Sequence, residues 1–206
     1  MRLVFSKRRH ISISIVDFTG KKMYKFICLT VALIVFSGVA FASETEGMNW
    51  TEKAKYNLAE TWKSGTYDLY VPLYAWHNRL TYDQEHIDRY NENPWGAGLG
   101  VSRFDTDNDW HALYAMAFKD SNGYVETMFG YAFLKNWYFG TNDDLRIGAG
   151  FTAGLTQRHE YYYIPVPLPL PMAGIGYKRL DIQAAYVPGI KNDGNVLFIW
   201  TKISLN

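Results

Sequence analysis

Beyond Gly65 the chain reads as eight segments of roughly ten residues with alternating side chains, separated by short runs of turn-forming residues. The segments are 67–78, 95–104, 110–119, 124–136, 145–156, 161–177, 180–187 and 195–205, and the runs between them include "DTDND" (105–109), "KDSNG" (119–123), "GTNDD" (140–144) and "KNDGN" (191–195). An even number of strands of this length matches the smallest transmembrane barrels, in which closure removes every unpaired edge. Tyr67, Trp95, Trp110, Tyr124, Trp137, Tyr161 and Trp200 stand near segment ends, as the aromatic girdles of such barrels do. The expected fold is therefore all-β, an eight-stranded antiparallel transmembrane β-barrel.

A soluble, lipocalin-like barrel is the competing architecture, and its outer face would be polar. In 110–118 the alternation puts Trp110, Ala112, Tyr114, Met116 and Phe118 on one face and Leu113, Ala115 and Ala117 on the other. In 145–156, Leu145, Ile147, Ala149, Phe151, Ala153 and Leu155 oppose Gly148, Gly150, Thr152, Gly154 and Thr156. A continuous apolar face suits lipid. The opposite face, small and weakly polar, implies a narrow interior suited to a thin apolar ligand and poor for ions. The glycines are equally explained by crowding inside a small barrel.

"IPVPLPLPM" (164–172) breaks the pattern, because proline brings no N–H to a ladder. Such prolines, with Pro72 and Pro188, would open slots in the wall through which a lipid tail could enter sideways. A loop of polyproline character is the alternative.

The N-terminal part is expected to be removed. A basic run (21–25), the apolar "FICLTVALIVF" (26–36) and the small-x-small "AFA" (40–42) form a secretory signal pattern with cleavage after Ala42. The apolar run is short for a membrane anchor, and an acidic stretch follows it. Residues 1–22 read as dispensable, with Met23 as an alternative start. Removing 1–42 takes seven of 21 Lys/Arg and one of 20 Asp/Glu, leaving a formal net charge of −5. That charge argues against a nucleic-acid partner. The only cysteine, Cys28, leaves with the leader, so no disulfide holds the exported chain. The remaining domain is 43–206, with a helix over about 48–63 and a barrel over 67–205. In the helix Trp50, Ala54, Leu58 and Trp62 recur about every four residues, which fits packing on a core or lying at a membrane interface.

Several long motifs resemble one family. "YDLYVPLYAWHNR" (67–79), "DRYNENPWGAGLGVSR" (88–103), "WHALYAMAFKDS" (110–121), "GFTAG" (150–154), "YIPVPLPLP" (163–171), "YVPG" (186–189) and "NDGNV" (192–196) are similar, in order and almost without gaps, to the PagP family of outer-membrane lipid A palmitoyltransferases. The resemblance implies an amphipathic helix on the periplasmic side. It implies acyl transfer, typically of palmitate, from the sn-1 position of a phospholipid to the hydroxyacyl chain on the proximal glucosamine of lipid A. It implies no soluble cofactor and no metal, a monomer in the bacterial outer membrane, an active-site rim facing outward, and raised resistance to cationic antimicrobial peptides.

Carried over residue by residue, the family's catalytic positions fall on His77, Asp120 and Ser121. His77 would act as general base with its charge supported by Asp120, and Ser121 as covalent nucleophile or oxyanion donor. Without the resemblance, Asp-Ser-Asn-Gly reads as an ordinary turn. Asp105 and Arg158 match a pair that bridges external loops. The lipopolysaccharide-recognition position is His86 in place of lysine, and the phospholipid gate position is Lys191 in place of tyrosine. The glycine at the floor of the family's acyl pocket is Ala132 here, whose extra methyl should shorten the pocket by about one methylene. The usual terminal aromatic is Leu205, followed by Asn206. His111 reads as structural, and the histidine spacing suggests no metal site. A non-enzymatic small barrel, or a phospholipase acting when lipid A is absent, are the alternatives.

Overall fold

The computed structural model describes residues 43–140 and 144–205. The leader, its cleavage point and Cys28 lie outside the described residues. The strands are β1 (Thr66–His77), β2 (Gly96–Phe104), β3 (Trp110–Lys119), β4 (Val125–Phe139), β5 (Leu145–Gln157), β6 (Val166–Tyr177), β7 (Leu180–Val187) and β8 (Val196–Ser204). Each pairs antiparallel with the next, and β8 returns to β1 to close the barrel. No described helix is long and apolar enough to cross a membrane; the strands do so.

Most strand limits match the expectation, with one clear difference. β6 starts at Val166 and not at residue 161, because Arg158–Ile164 close on themselves through a 3-10 turn and Tyr162 and Tyr163 adopt φ of 52° and 57°. Non-glycine residues in that left-handed region end a strand.

The ladder is open in two places on one rim. β1 pairs with β2 only over residues 66–70, and β6 pairs with β7 only from Met172 onward. Over 166–171 β6 remains fully paired with β5. Alternate residues of an antiparallel strand bond to opposite sides. Pro167, Pro169 and Pro171 therefore turn their missing donors toward the side where β7 is absent. The proline run is strand from residue 166, and its alternation marks the open side.

β1 carries the other adjustment. Its pairing with β8 shifts between Pro72 and Tyr74, leaving Leu73 as an extra residue. Below this bulge Asp68, Tyr70 and Pro72 are buried, and above it Ala75 and His77 are. A one-residue slip exchanges the two faces of a strand, so the bulge turns His77 inward.

The faces of β5 are as expected, with Leu145, Ile147, Ala149 and Ala153 outward. β3 is the reverse of the expectation. Its bulky face, Trp110, Tyr114, Met116 and Phe118, is buried, while Ala115 and Ala117 face out. Lipid accepts small or large apolar groups equally, whereas the interior needs volume to fill it at close packing. Trp110 and Trp200, expected in the girdles, accordingly belong to the core with Tyr70, Ala132, Leu134, Leu170 and Met172. Tyr67, Trp95, Tyr124 and Trp137 remain exposed. The interior is also more charged toward one end than the sequence implied. Lys202 Nζ lies 2.9 Å from Asp181 and 3.6 Å from Asp68, and Arg146 lies 2.6 Å from Asp181. All four side chains are buried and mutually paired, as buried charge requires.

Helix α1 (Trp50–Ser64) starts with a capping box between Asn49 and Glu52. It buries polar residues, Asn57 and Thr61, against the barrel, and Asn57 accepts from buried Arg103 at 2.8 Å. Trp50 and Trp62 are 77% and 74% exposed. That arrangement favours the interfacial role over packing on a core.

Candidate active site

The rim opposite α1 is built from residues 78–95, 120–124, 158–165 and 188–195, and includes a short helix α2 (Gln84–Arg89). His77, the last residue of β1, reaches it from below and is almost fully buried. Its ring stacks on Tyr90 with centroids 5.0 Å apart and meets the edge of Tyr82 at 5.1 Å. Nε2 lies 3.0 Å from Ser121 Oγ, and Nδ1 lies 3.1 Å from Glu92 Oε1.

Asp120 and Ser121 occupy the tight β3–β4 turn. Asp120 Oδ1 accepts from the N–H groups of Asn122 and Tyr124, both at 2.9 Å, and Gly123 takes the positive φ of 80° that closes the turn. Asn91 N–H donates to Ser121 carbonyl oxygen at 2.8 Å and ties the turn to the loop after α2. The sequence placed Asp120 behind His77, but the structure does not. The carboxylate holds the turn that aims Ser121 and faces Arg158 at 3.8 Å. Asp120 is thus engaged by the turn and Arg158, while Ser121 alone of the two meets the His77 ring. Glu92 occupies the place behind His77. A lone acid within "NEN" carries no signal in the sequence, and its role depends on a loop folding back over β1.

The expected pairing of Asp105 with Arg158 is also corrected. β2 and β5 run in opposite directions, so the residue following β2 and the residue following β5 lie on opposite rims. Asp105 sits on the α1 rim, where Oδ1 accepts from Asp107 and Asp109 N–H and Oδ2 lies 2.9 Å from His111 Nε2. His111 Nδ1 in turn lies 2.6 Å from the Tyr131 hydroxyl. Arg158 lies on the active-site rim, 3.3 Å from Glu126 and 3.7 Å from Glu160. Its guanidinium is held charged above its usual range by those acids against the effect of burial.

His86 lies on α2, 2.5 Å from Asp83 through Nδ1. The His86 side chain is the main cause of an Asp83 pKa lowered to about 2. Asp83 also accepts from Asn192 at 2.7 Å, which links α2 to the β7–β8 loop carrying exposed Lys191. Below the rim, Ala132 lines an apolar interior pocket with Tyr70, Tyr114, Met116 and Met172, closed by Trp110, Trp200 and Gln183. Ala132 is fully buried, between Ala112 and Thr152 on the neighbouring strands. A hydroxyl, an imidazole and a carboxylate in sequence, above an apolar barrel interior, are equipped for acyl transfer.

Residues 57–202 match the family model described as antimicrobial peptide resistance and lipid A acylation protein PagP. The chain is 50% identical over 184 residues to the lipid A acyltransferase PagP of Sodalis glossinidius, covering 87% of this chain and 96% of that one. It is 53% identical over 163 residues to the protein of the same description in Proteus mirabilis, covering 79% and 76%. A third relative, from Photorhabdus laumondii, is 47% identical over 195 residues, covering 84% of this chain and 94% of that one.

Proposed function

The chain belongs to the PagP lipid A acylation family, and we propose that it moves palmitate, or a slightly shorter chain, from the sn-1 position of a phospholipid to the hydroxyacyl chain on the proximal glucosamine of lipid A. The protein is an outer-membrane barrel and an acyltransferase, and its acceptor is lipid A. The observation that carries this proposal is the 3.0 Å contact between His77 Nε2 and Ser121 Oγ at the rim of a barrel whose interior is largely apolar.

Ser121 Oγ attacks the sn-1 ester carbonyl carbon while its proton passes to His77 Nε2. The bond from that carbon to the glycerol oxygen breaks, the oxygen takes the proton, and lysophospholipid leaves. The lipid A hydroxyl then attacks the acyl-serine, giving its proton to Nε2. The serine–acyl bond breaks and Ser121 recovers the proton. Asp120 and Arg158 hold the turn that presents Ser121. Water in place of lipid A gives slow hydrolysis.

The acyl chain lies along the interior from the rim toward Ala132. Tyr70 in the pocket wall and His77 at the rim are seven residues apart on β1, roughly 23 Å of strand. The openings beside β1 and β6 supply lateral routes for lipid. The active-site rim carries the long segments 78–95 and 158–165, whereas the other has the short 105–109 turn and the two-residue connection after Tyr177. Barrels of this class face their longer loops outward, which directs the active site to the leaflet holding lipid A. His86 and Lys191 would meet the headgroups there. The barrel acts as a monomer, and the added chain tightens the outer leaflet against cationic peptides.

The donor position is tested with phospholipid labelled on either the sn-1 or the sn-2 chain, supplied to the purified barrel with lipid A. Label should reach lipid A from the sn-1 donor alone. Transfer from the sn-2 donor, or equal transfer by His77→Ala, contradicts the proposal.

A further inference from the structure

We propose that Glu92 is the positioning residue for His77, holding Nδ1–H so that Nε2 presents its lone pair to Ser121, and that it does so from the loop that replaces β2 beside the open part of β1. The inference rests on the reading of His77 as base to Ser121.

The geometry begins with the ladder. Above Tyr70, β1 has lost β2 as a partner, and buried N–H groups there need other acceptors. Glu92 supplies two of them. Its carbonyl oxygen accepts from Ala75 N–H at 2.9 Å, and its Oε1 accepts from His77 N–H at 3.0 Å. The same Oε1 lies 3.1 Å from His77 Nδ1. Backbone and ring of His77 are thus fixed by one side chain.

An ionised carboxylate only accepts hydrogen bonds. Glu92 is ionised: the Arg79 guanidinium, with N–H groups 2.6 and 2.7 Å from the two oxygens, holds the carboxyl well below its usual range. Tyr74 O–H also donates to Oε2. With Oε1 an obligate acceptor, Nδ1 carries the proton and Nε2 is free to accept from Ser121 O–H. The carboxylate further favours the imidazolium formed when the serine proton is taken. The charged and titratable groups facing His77 are Glu92 behind it, Arg79 on its carbonyl at 2.8 Å, and the phenols of Tyr82 and Tyr90 over its ring. Asp120 faces Arg158, outside this set.

Arg79 gives an internal control, because it grips the same carboxylate with the opposite charge. The experiment is the pH–rate profile of acyl transfer by the full detergent-solubilised protein, with a 16-carbon phosphatidylethanolamine as donor and lipid A as acceptor. Glu92→Gln, Arg79→Gln and Asp120→Asn are compared with wild type, folding being checked by heat-modifiable gel mobility. Glu92→Gln should lower kcat about a hundredfold with little change in KM and move the acid limb to lower pH, since a carboxylate that favours imidazolium is gone. Arg79→Gln keeps the carboxylate and removes a cation, so its acid limb should move to higher pH. Asp120→Asn should reduce kcat without moving the limb. If Glu92 merely stitched the loop to β1, Glu92→Gln and Arg79→Gln would act alike, and that result overturns the proposal. So does an unmoved acid limb in Glu92→Gln. Should Glu92→Gln fail to fold, the direction of the Arg79→Gln shift decides alone. An inactive wild type would refute the transferase reading itself, whereas an active wild type with an unaffected Glu92→Gln refutes this inference only.

Discussion

Tyr70 and His77 both point into the barrel although they stand seven positions apart, an odd interval, on one strand. Regular alternation would send one of them into lipid. The bulge at Leu73 reconciles them, so the pocket wall and the proposed base share one interior because a single residue is inserted between them.

Deleting Leu73 should therefore leave β1 a regular strand, with Tyr70 and His77 an even number of positions apart and both still facing the interior. The barrel should still assemble, since its pairing with β8 becomes continuous. Transfer should be largely retained, and a fall of about a hundredfold, the contribution of a positioned base, would contradict the reading of Leu73 as a simple inserted residue. Gel mobility together with an activity assay on the deletion variant checks both halves.

Ala132 is fully buried in the wall of the pocket. Ala132→Gly should move the preferred donor up by about one methylene, with discrimination between adjacent lengths of about 1–3 kcal/mol. Competition between donors of graded length, read by the mass of the acylated lipid A, measures it. An unchanged preference would mean that Met116 or Met172 sets the floor.

Arg158 is the cation beside buried Glu126, with their side chains 25% and 11% exposed. Arg158→Gln leaves that carboxylate without its charge partner. The expected loss is about 2 kcal/mol, below the roughly 3–5 kcal/mol of a fully buried pair because the arginine is partly solvated. Unfolding in detergent measures the loss, and activity should fall with it as the Asp120 turn loosens.

Glu92 also sets a pH dependence. Its folded value is depressed from 4.5, chiefly by its hydrogen bonds from Arg79. A depressed acid contributes stability that is present above 4.5 and lost as pH falls through the lower folded value. Exchange protection of the 78–95 loop should thus decline progressively below pH 4.5, and Glu92→Gln should remove its share of that decline. Protection falling equally in both proteins would contradict it.

Much of the fold was legible because strand period and turn composition act locally. Eight strands, the helix that precedes them and the gap in the wall at the proline run follow from such signals. The inward face of β3 was not, since both of its faces are apolar and only closure shows which must fill space. The opposite rims of Asp105 and Arg158 were legible in principle, because antiparallel strands alternate direction and counting them separates the two. The bulge at Leu73, the charge cluster around Lys202 and the reach of Glu92 depend on contacts between segments distant in sequence. His77 and Ser121 were found through resemblance, and their 3.0 Å contact is what the fold adds. Asp120 was found the same way, yet the fold moves it from the histidine to the turn.

The most direct test of the central claim is mass spectrometry of lipid A from outer membranes carrying wild type, His77→Ala or Ser121→Ala, each assembled as a heat-modifiable barrel. One added acyl chain, of palmitate mass or slightly less, is expected with wild type only. An unmodified lipid A from well-assembled wild type, or full modification by either variant, would contradict it.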